Sequence, residues 1–155
     1  MSHSSTKEQE WGPRSPRFQG LVGLGSSLAA AGWMGLIFYS SSLTGGEASR
    51  QLDSAFVSWL GDARSYAGHV LLYSVLAALL QTALWGWKRG ADLRCVISVV
   101  VFSSLFAISD EYHQTFVSGR SATTADVVVD IAAAAATASI VWFLISVKPW
   151  RSRHR

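Results

Sequence analysis

The chain has 155 residues, of which 50% are hydrophobic and only 15% are charged, whereas soluble domains carry roughly 25% charged residues. Its 13 Lys and Arg residues fall in short clusters between apolar runs, without a basic face carrying interleaved aromatic residues, so nucleic acid is not expected as a partner. The single cysteine, Cys95, excludes an intramolecular disulfide and a cysteine-based metal motif.

The N-terminal segment, residues 1–17, is polar and contains proline, which predicts a disordered tail. No charged residue follows until after Gly46, and about 20 apolar helical residues cross a bilayer core. We therefore predict a first transmembrane helix over Gly20–Ser42. A cleaved signal peptide is the alternative, because Arg14 and Arg17 precede the apolar run. The run is long for that class, however, and has no clear Ala-x-Ala cleavage site.

The segment after the first span begins with Thr44 and Glu47, which have the spacing of a capping box. Leu52, Phe56 and Leu60 then recur at helical intervals. This pattern predicts a short amphipathic helix at the membrane interface. A helix in a solvent-facing loop is the alternative.

The second apolar run, Gly68–Trp87, predicts a second transmembrane helix, and its ionisable side chains are His69 and Tyr73. Trp85 and Trp87 adjoin a basic pair at its end and are typical of an interfacial anchor.

The third and fourth apolar runs, Cys95–Ser109 and Ile131–Lys148, are both short for a membrane span. The third would reach only about 22 Å as a helix, short of a bilayer core of about 30 Å. Either two short helices are joined by a surface loop, which hydrophobic mismatch would tolerate, or the helices extend into the polar stretch between them. Both shortfalls adjoin the same loop, which favours a polar pocket set into one leaflet. In that case the helices include Asp110, Glu111, Gln114, Asp126 and Asp130.

Four spans place both tails and the loop after Trp87 on one side of the membrane. That side holds ten of the Lys and Arg residues, and the opposite side holds three. By the positive-inside rule the tails are cytoplasmic, and the loop between the third and fourth spans faces outward.

The predicted pocket draws polar side chains from three helices. Asp126 and Asp130 are four residues apart and share a helix face, and His69 and Tyr73 are one turn apart on the second helix. Ionisable groups within spans are candidate functional groups. The candidates for ligand binding are Asp110, Glu111, Gln114, Arg120, Asp126, Asp130, His69 and Tyr73, and those for proton transfer are Glu111, Asp130 and His69.

Arg120 is the only permanent cation near these carboxylates. It either pairs internally with Asp126 or Glu111, or binds an anionic head group or substrate. A metal is conceivable on residue chemistry alone, because oxygen and nitrogen ligands are supplied by Asp110, Glu111, His113, Asp126 and Asp130. No His-Glu-x-x-His spacing occurs, so neither a metal nor another cofactor is expected.

The run from Ser109 to Ser121, followed by Asp126 and Asp130, resembles the signature of the VanZ-like family of small bacterial membrane proteins. The similarity extends upstream through Gly68, His69 and Tyr73 and the serine-rich end of the first helix at Ser41 and Ser42, and it covers about residues 20–147. The matching motif positions are Asp110, Glu111, Gln114, Arg120, Asp126 and Asp130, with His69 as the upstream partner. The chain departs from the family pattern at Ser118, where proline is usual, at Tyr66 and at Ala133.

The resemblance implies a VanZ-like domain over residues 18–147, with cytoplasmic tails at 1–17 and 148–155, in the bacterial cytoplasmic membrane. The family's founding member is linked to low-level teicoplanin resistance. We therefore expect an envelope role on a membrane lipid, a lipid-linked envelope precursor or a glycopeptide-like molecule. An intramembrane acid-base enzyme acting on a lipid head group and a structural partner in a homo-oligomer or membrane complex are the alternatives.

Overall fold

The computed structural model of the protein describes residues 15–47, 63–88 and 92–151. These ranges contain four long helices and no strand, so the prediction of an all-α membrane bundle is confirmed. All four helices are long and apolar enough to cross a bilayer, which makes the chain a multi-pass membrane protein. They are α1 (Pro16–Ser41), α2 (Ala63–Lys88), α3 (Leu93–Gln114) and α4 (Thr124–Arg151).

The start of α1 lies four residues before the predicted start at Gly20. Ser15 is the N-cap, and its Oγ accepts a hydrogen bond of 3.2 Å from the backbone N–H of Phe18. Pro16 occupies the first helical turn, where its missing N–H costs nothing and its fixed φ favours the helix. Residues 1–14 of the predicted tail lie outside the described residues.

The helices α3 and α4 are longer than their apolar runs. α3 continues to Gln114, and α4 begins at Thr124 and so includes both Asp126 and Asp130. The prediction that the helices extend into the polar stretch is confirmed, and the alternative of two short helices is wrong. The start of α4 is fixed by Thr123, whose Oγ1 accepts a hydrogen bond of 3.1 Å from the Asp126 N–H.

The predicted capping box between Thr44 and Glu47 is present. Glu47 Oε2 accepts a hydrogen bond of 3.0 Å from the backbone N–H of Thr44. In return, Thr44 Oγ1 accepts one of 3.4 Å from the Glu47 N–H. Residues 45–47 are helical, and the rest of the predicted amphipathic helix lies outside the described residues.

The helix α2 occupies the middle of the bundle, between α1 and α4, while α3 packs mainly on α4. Small residues allow these helices to approach closely. The helices α1 and α2 approach closely at Gly23 and Gly86, where a Cβ on Gly86 would lie 2.6 Å from the Gly23 Cα. The buried core holds many alanines together with Ile37, Tyr73, Leu76, Val96 and Val99.

Large apolar side chains cover the outside of the bundle. All four helices expose them, as expected for surfaces that contact lipid acyl chains rather than water. The most exposed include Leu28, Leu71, Leu105, Val128 and Phe143.

Candidate functional site

A cavity of about 290 Å³ lies at the end of the bundle where α1 and α3 end and α4 begins. We call it the polar pocket. Five of the eight predicted site residues line it: His69, Tyr73, Asp110, Gln114 and Arg120. The other lining residues are Ile37, Ser40, Ser41, Leu43, Ser65, Gly68 and Leu72.

A buried chain of hydrogen bonds joins α1 to α3 along the pocket wall. Ser41 Oγ donates to Asp110 Oδ2 at 2.7 Å. The Nε2 of Gln114 lies 3.4 Å from the same carboxylate oxygen and 3.3 Å from Glu111 Oε1. This arrangement follows from helical spacing, because residues three and four positions apart lie on one face. It places both acidic side chains in the interior rather than towards lipid.

Two buried polar atoms in the pocket wall have no hydrogen-bond partner among the described residues. They are the Oη of Tyr73, whose residue is 1% exposed, and the Oδ1 of Asp110, whose residue is 4% exposed. Leaving a buried polar group unpaired costs about 1–3 kcal/mol, and more for a charged group. The pocket therefore presents an acceptor and a hydroxyl that a bound molecule could satisfy.

His69 on α2 is held by Asp130 on α4. Its Nδ1 lies 3.1 Å from Asp130 Oδ1 and 3.3 Å from Oδ2. Asp130 is 1% exposed, so this contact is largely shielded from water. A carboxylate in this position fixes the tautomer and the orientation of the imidazole. The pair can therefore hold a proton at a defined place or present Nε2 to a ligand.

Thr123, the residue before α4, forms hydrogen bonds with both Glu111 and Asp126. The backbone N–H of Thr123 donates to Glu111 Oε2 at 2.9 Å, and its hydroxyl donates to Asp126 Oδ2 at 2.7 Å. These two carboxylates and His69 each offer one ligand atom, and the three atoms lie within 4.8 Å of one another. Among the residues that the structure describes, this is the group that could hold a metal ion.

Arg120 binds the C-terminal end of α1. Its Nε donates to the carbonyl of Leu43 at 3.2 Å, and its Nη2 donates to the carbonyl of Ser40 at 2.8 Å. No carboxylate in the described ranges forms an ion pair with it, so the predicted pairing with Asp126 or Glu111 is not present. The planar fork of Arg120 reaches one carbonyl in the last turn of α1 and one just beyond the helix end, where carbonyls lack the regular intrahelical hydrogen bond.

His113 does not join the carboxylates. Its ring stacks on Phe38 with the centroids 4.3 Å apart, and its Nε2 lies 3.0 Å from Ser42 Oγ. It therefore ties the end of α3 to the end of α1.

Residue chemistry placed the pocket between α2, α3 and α4, and α1 entered only through the family resemblance at Ser41 and Ser42, without a role in the pocket. Ser41 and the Ser40 carbonyl are part of the pocket wall, and Thr123 organises Glu111 and Asp126. The available signal for α1 is its serine run, Ser40–Ser42, which ends an otherwise apolar span. Thr123 is recognisable as a helix N-cap, although its contact with Glu111 requires the tertiary structure.

The comparisons with known proteins found one family. Its sequence model, described as VanZ/LLP1, matches residues 27–145, which is well over half of the chain. The matched range includes all eight predicted site residues. No curated protein and no solved structure matched the chain. The chain thus belongs to the VanZ/LLP1 family.

Proposed function

We propose that the polar pocket binds the head group of a membrane lipid, a lipid-linked envelope precursor or a glycopeptide-like molecule, and that the protein thereby acts in the bacterial cell envelope. The observation that carries this proposal is the pair of buried, unpartnered atoms in the pocket wall, Tyr73 Oη and Asp110 Oδ1. Ligand sites typically combine apolar walls with a few placed polar groups.

The chemistry of the wall favours an amphiphilic ligand. Asp110 Oδ1 requires a donor such as a hydroxyl or an amide N–H, and the Tyr73 hydroxyl can donate or accept. Ile37, Leu43 and Leu72 supply apolar surface in the same cavity. Sugar and peptide head groups carry such donors, and a lipid chain would suit the apolar surface.

The side of the membrane is also part of the proposal. The distribution of ten against three basic residues favours cytoplasmic tails. The pocket, at the opposite end of the bundle from those tails, would then meet envelope precursors and external glycopeptides. The VanZ-like resemblance supports an effect on teicoplanin sensitivity.

The test compares teicoplanin susceptibility in a bacterial host lacking its own relatives of this protein. Tyr73→Phe and Asp110→Asn remove one pocket group each with little change in volume. Tyr112→Phe is the matched control, because Tyr112 is 67% exposed and lies outside the pocket. Arg120→Ala is a weaker choice, since it would also release the end of α1.

We expect the unchanged protein and Tyr112→Phe to raise tolerance, and both pocket variants to lose most of that effect at equal membrane abundance. If all four proteins raise tolerance equally, the pocket groups have no role in the antibiotic effect. If neither the unchanged protein nor any variant raises tolerance, although all four insert normally, the antibiotic role itself is rejected.

A second candidate is an acid-base enzyme acting on a lipid head group, with His69, Asp130 and Glu111 as the proton-transfer groups. The hydrogen bond of 3.1 Å between His69 and Asp130 favours it, because general acid-base catalysis needs an oriented imidazole. Mass spectrometry of membrane lipids distinguishes the two functions. An enzyme produces a lipid of altered mass that disappears with Glu111→Gln, whereas a binding protein leaves lipid masses unchanged.

A further inference from the structure

We propose that His69, Glu111 and Asp126 form a binding site for a divalent transition-metal ion, with Zn²⁺ as the ion that fits the donor set best. One ligand atom from each residue lies within 4.8 Å of the other two. Around a zinc ion with bonds of about 2.0–2.2 Å, ligand atoms are roughly 3–4 Å apart. Small side-chain rotations would therefore close the site without backbone movement.

The orientation of His69 suits metal binding. Its Nδ1 is hydrogen-bonded to Asp130 Oδ1 at 3.1 Å, and its Nε2 has no hydrogen-bond partner among the described residues. Histidine ligands of metals usually donate their other ring N–H to a carboxylate, which fixes the tautomer and makes the free nitrogen a better ligand. Asp130 would thus be a positioning residue rather than a ligand.

The charge around this group is not balanced by protein cations in the described part of the chain. Glu111 accepts hydrogen bonds from the neutral donors Thr123 N–H and Gln114 Nε2, and Asp126 accepts one from the Thr123 hydroxyl. The nearby cation, Arg120, is bonded to backbone carbonyls instead. Glu111 is buried and Asp126 is half-buried, and carboxylates of like charge are costly to hold together out of water unless a cation compensates them.

His69 also adjoins the polar pocket, where a buried carboxylate oxygen has no partner among the described residues. Asp110 is 4% exposed, its Oδ1 has no partner, and it lines the cavity that His69 also lines. A cationic or hydrogen-donating group in that cavity would satisfy this oxygen, and His69 connects the cavity to the group formed with Glu111 and Asp126.

One nitrogen and two carboxylate ligands favour zinc over magnesium or calcium, which prefer oxygen ligands only. Three protein ligands also leave coordination positions for a substrate oxygen, as in catalytic rather than structural zinc sites. This proposal departs from the expectation of no metal drawn from the sequence. The ligands come from α2, α3 and α4, so no local spacing could reveal them.

The inference goes beyond the pocket function proposed above, and the two can fail separately. Metal binding is measured on purified protein with no pocket ligand, whereas the pocket function is measured with Tyr73→Phe and Asp110→Asn in cells. Neither of those residues is a proposed metal ligand.

The experiment uses the full chain in detergent, purified with a tag other than polyhistidine and treated with a chelator. Zinc is then titrated against a chromophoric competitor. We expect one zinc ion per chain, with at least tenfold weaker binding in Glu111→Gln and in Asp126→Asn. Asp130→Asn should weaken binding by about 10- to 100-fold, as loss of the carboxylate behind a histidine ligand does.

Two controls separate this site from adventitious binding. Asp92→Asn removes an exposed carboxylate, and His113→Gln removes a histidine outside the group; both should bind zinc as the unchanged protein does. Asp126→Asn retains a side-chain oxygen for the Thr123 contact, so it should fold normally. Absence of one-to-one binding by folded protein, unchanged affinity in Asp126→Asn, or displacement of zinc by millimolar Mg²⁺ would each overturn the assignment.

Discussion

His69 on α2 and Asp130 on α4 form a partly buried hydrogen bond of 3.1 Å near the pocket end of the bundle. The side chains are 15% and 1% exposed, respectively, so Asp130 in particular has little access to water as a replacement partner. The contact fixes the relative position of two spans, and it places the imidazole beside Glu111 and Asp126.

Loss of either member of this pair should destabilise the bundle. Asp130→Ala and His69→Ala each leave a buried polar partner unpaired, which costs roughly 1–3 kcal/mol. The double variant should cost less than the sum of the two, because the second change removes a group already left without its partner. Unfolding of detergent-purified protein measures all three variants. Strictly additive losses would mean that the two side chains do not interact.

Gly86→Ala should separate α1 from α2. The added Cβ would lie 2.5 Å from the Gly23 backbone nitrogen and 2.8 Å from the Gln19 carbonyl oxygen, so the helices must move apart. We expect a loss of about 1–3 kcal/mol, as for other overpacked interiors. Gly25→Ala is the matched control on α1, because a Cβ there meets no atom within 4 Å. Equal stability of the two variants would contradict the close helix crossing.

Arg120→Ala should release the C-terminal end of α1, because it removes hydrogen bonds to the Leu43 and Ser40 carbonyls. Hydrogen bonds to charged groups contribute about 1.5–3 kcal/mol. Arg120→Lys should rescue only part of this loss, since an ammonium group cannot reproduce the planar fork. Arg94→Ala, at an exposed position on α3, should have little effect.

Hydrogen exchange at the end of α1 locates the Arg120 effect. Faster exchange of the last turn of α1 in Arg120→Ala than in Arg94→Ala is the expected result. Full rescue by Arg120→Lys would indicate that charge alone matters.

Asp92 should make the stability of α3 depend on acid pH. It is the N-cap of that helix, and its Oδ1 accepts a hydrogen bond of 2.9 Å from the Cys95 N–H. This backbone hydrogen bond lowers the pKa of the Asp92 carboxyl below its ordinary value near 3.8. A lowered pKa in the folded state means that Asp92 stabilises the fold above its unfolded pKa, and that this contribution is lost as the pH falls through the folded pKa.

Asp92→Asn isolates that effect, because asparagine is an equally good cap without a titrating charge. The melting temperature of the unchanged protein minus that of Asp92→Asn should be greater at about pH 7 than at about pH 3. The other acidic groups titrate in both proteins, so their contributions cancel in the difference. A difference independent of pH would show that the carboxylate charge at the cap has no role in stability.

The sequence by itself determined that this is a membrane protein with four spans. It also indicated that the polar residues of different spans lie in one region of the bundle. Apolar runs of bilayer length set the spans, since backbone groups in lipid must be satisfied within a helix. The short third and fourth runs already favoured helices that include Glu111 and Asp130, because both shortfalls adjoin the same polar loop. The structure confirmed these extensions.

Only the tertiary structure decided which polar groups face one another. The sequence leaves Arg120 either paired with Asp126 or Glu111 or free to bind an anionic group, whereas in the structure it binds the Leu43 and Ser40 carbonyls, 77 and 80 residues away in the chain. Ser41 joins Asp110 across 69 residues, and His69 meets Asp130 across 61. Helical periodicity determines which face of its own helix a side chain occupies. The packing of small residues between helices determines which other helix that face meets.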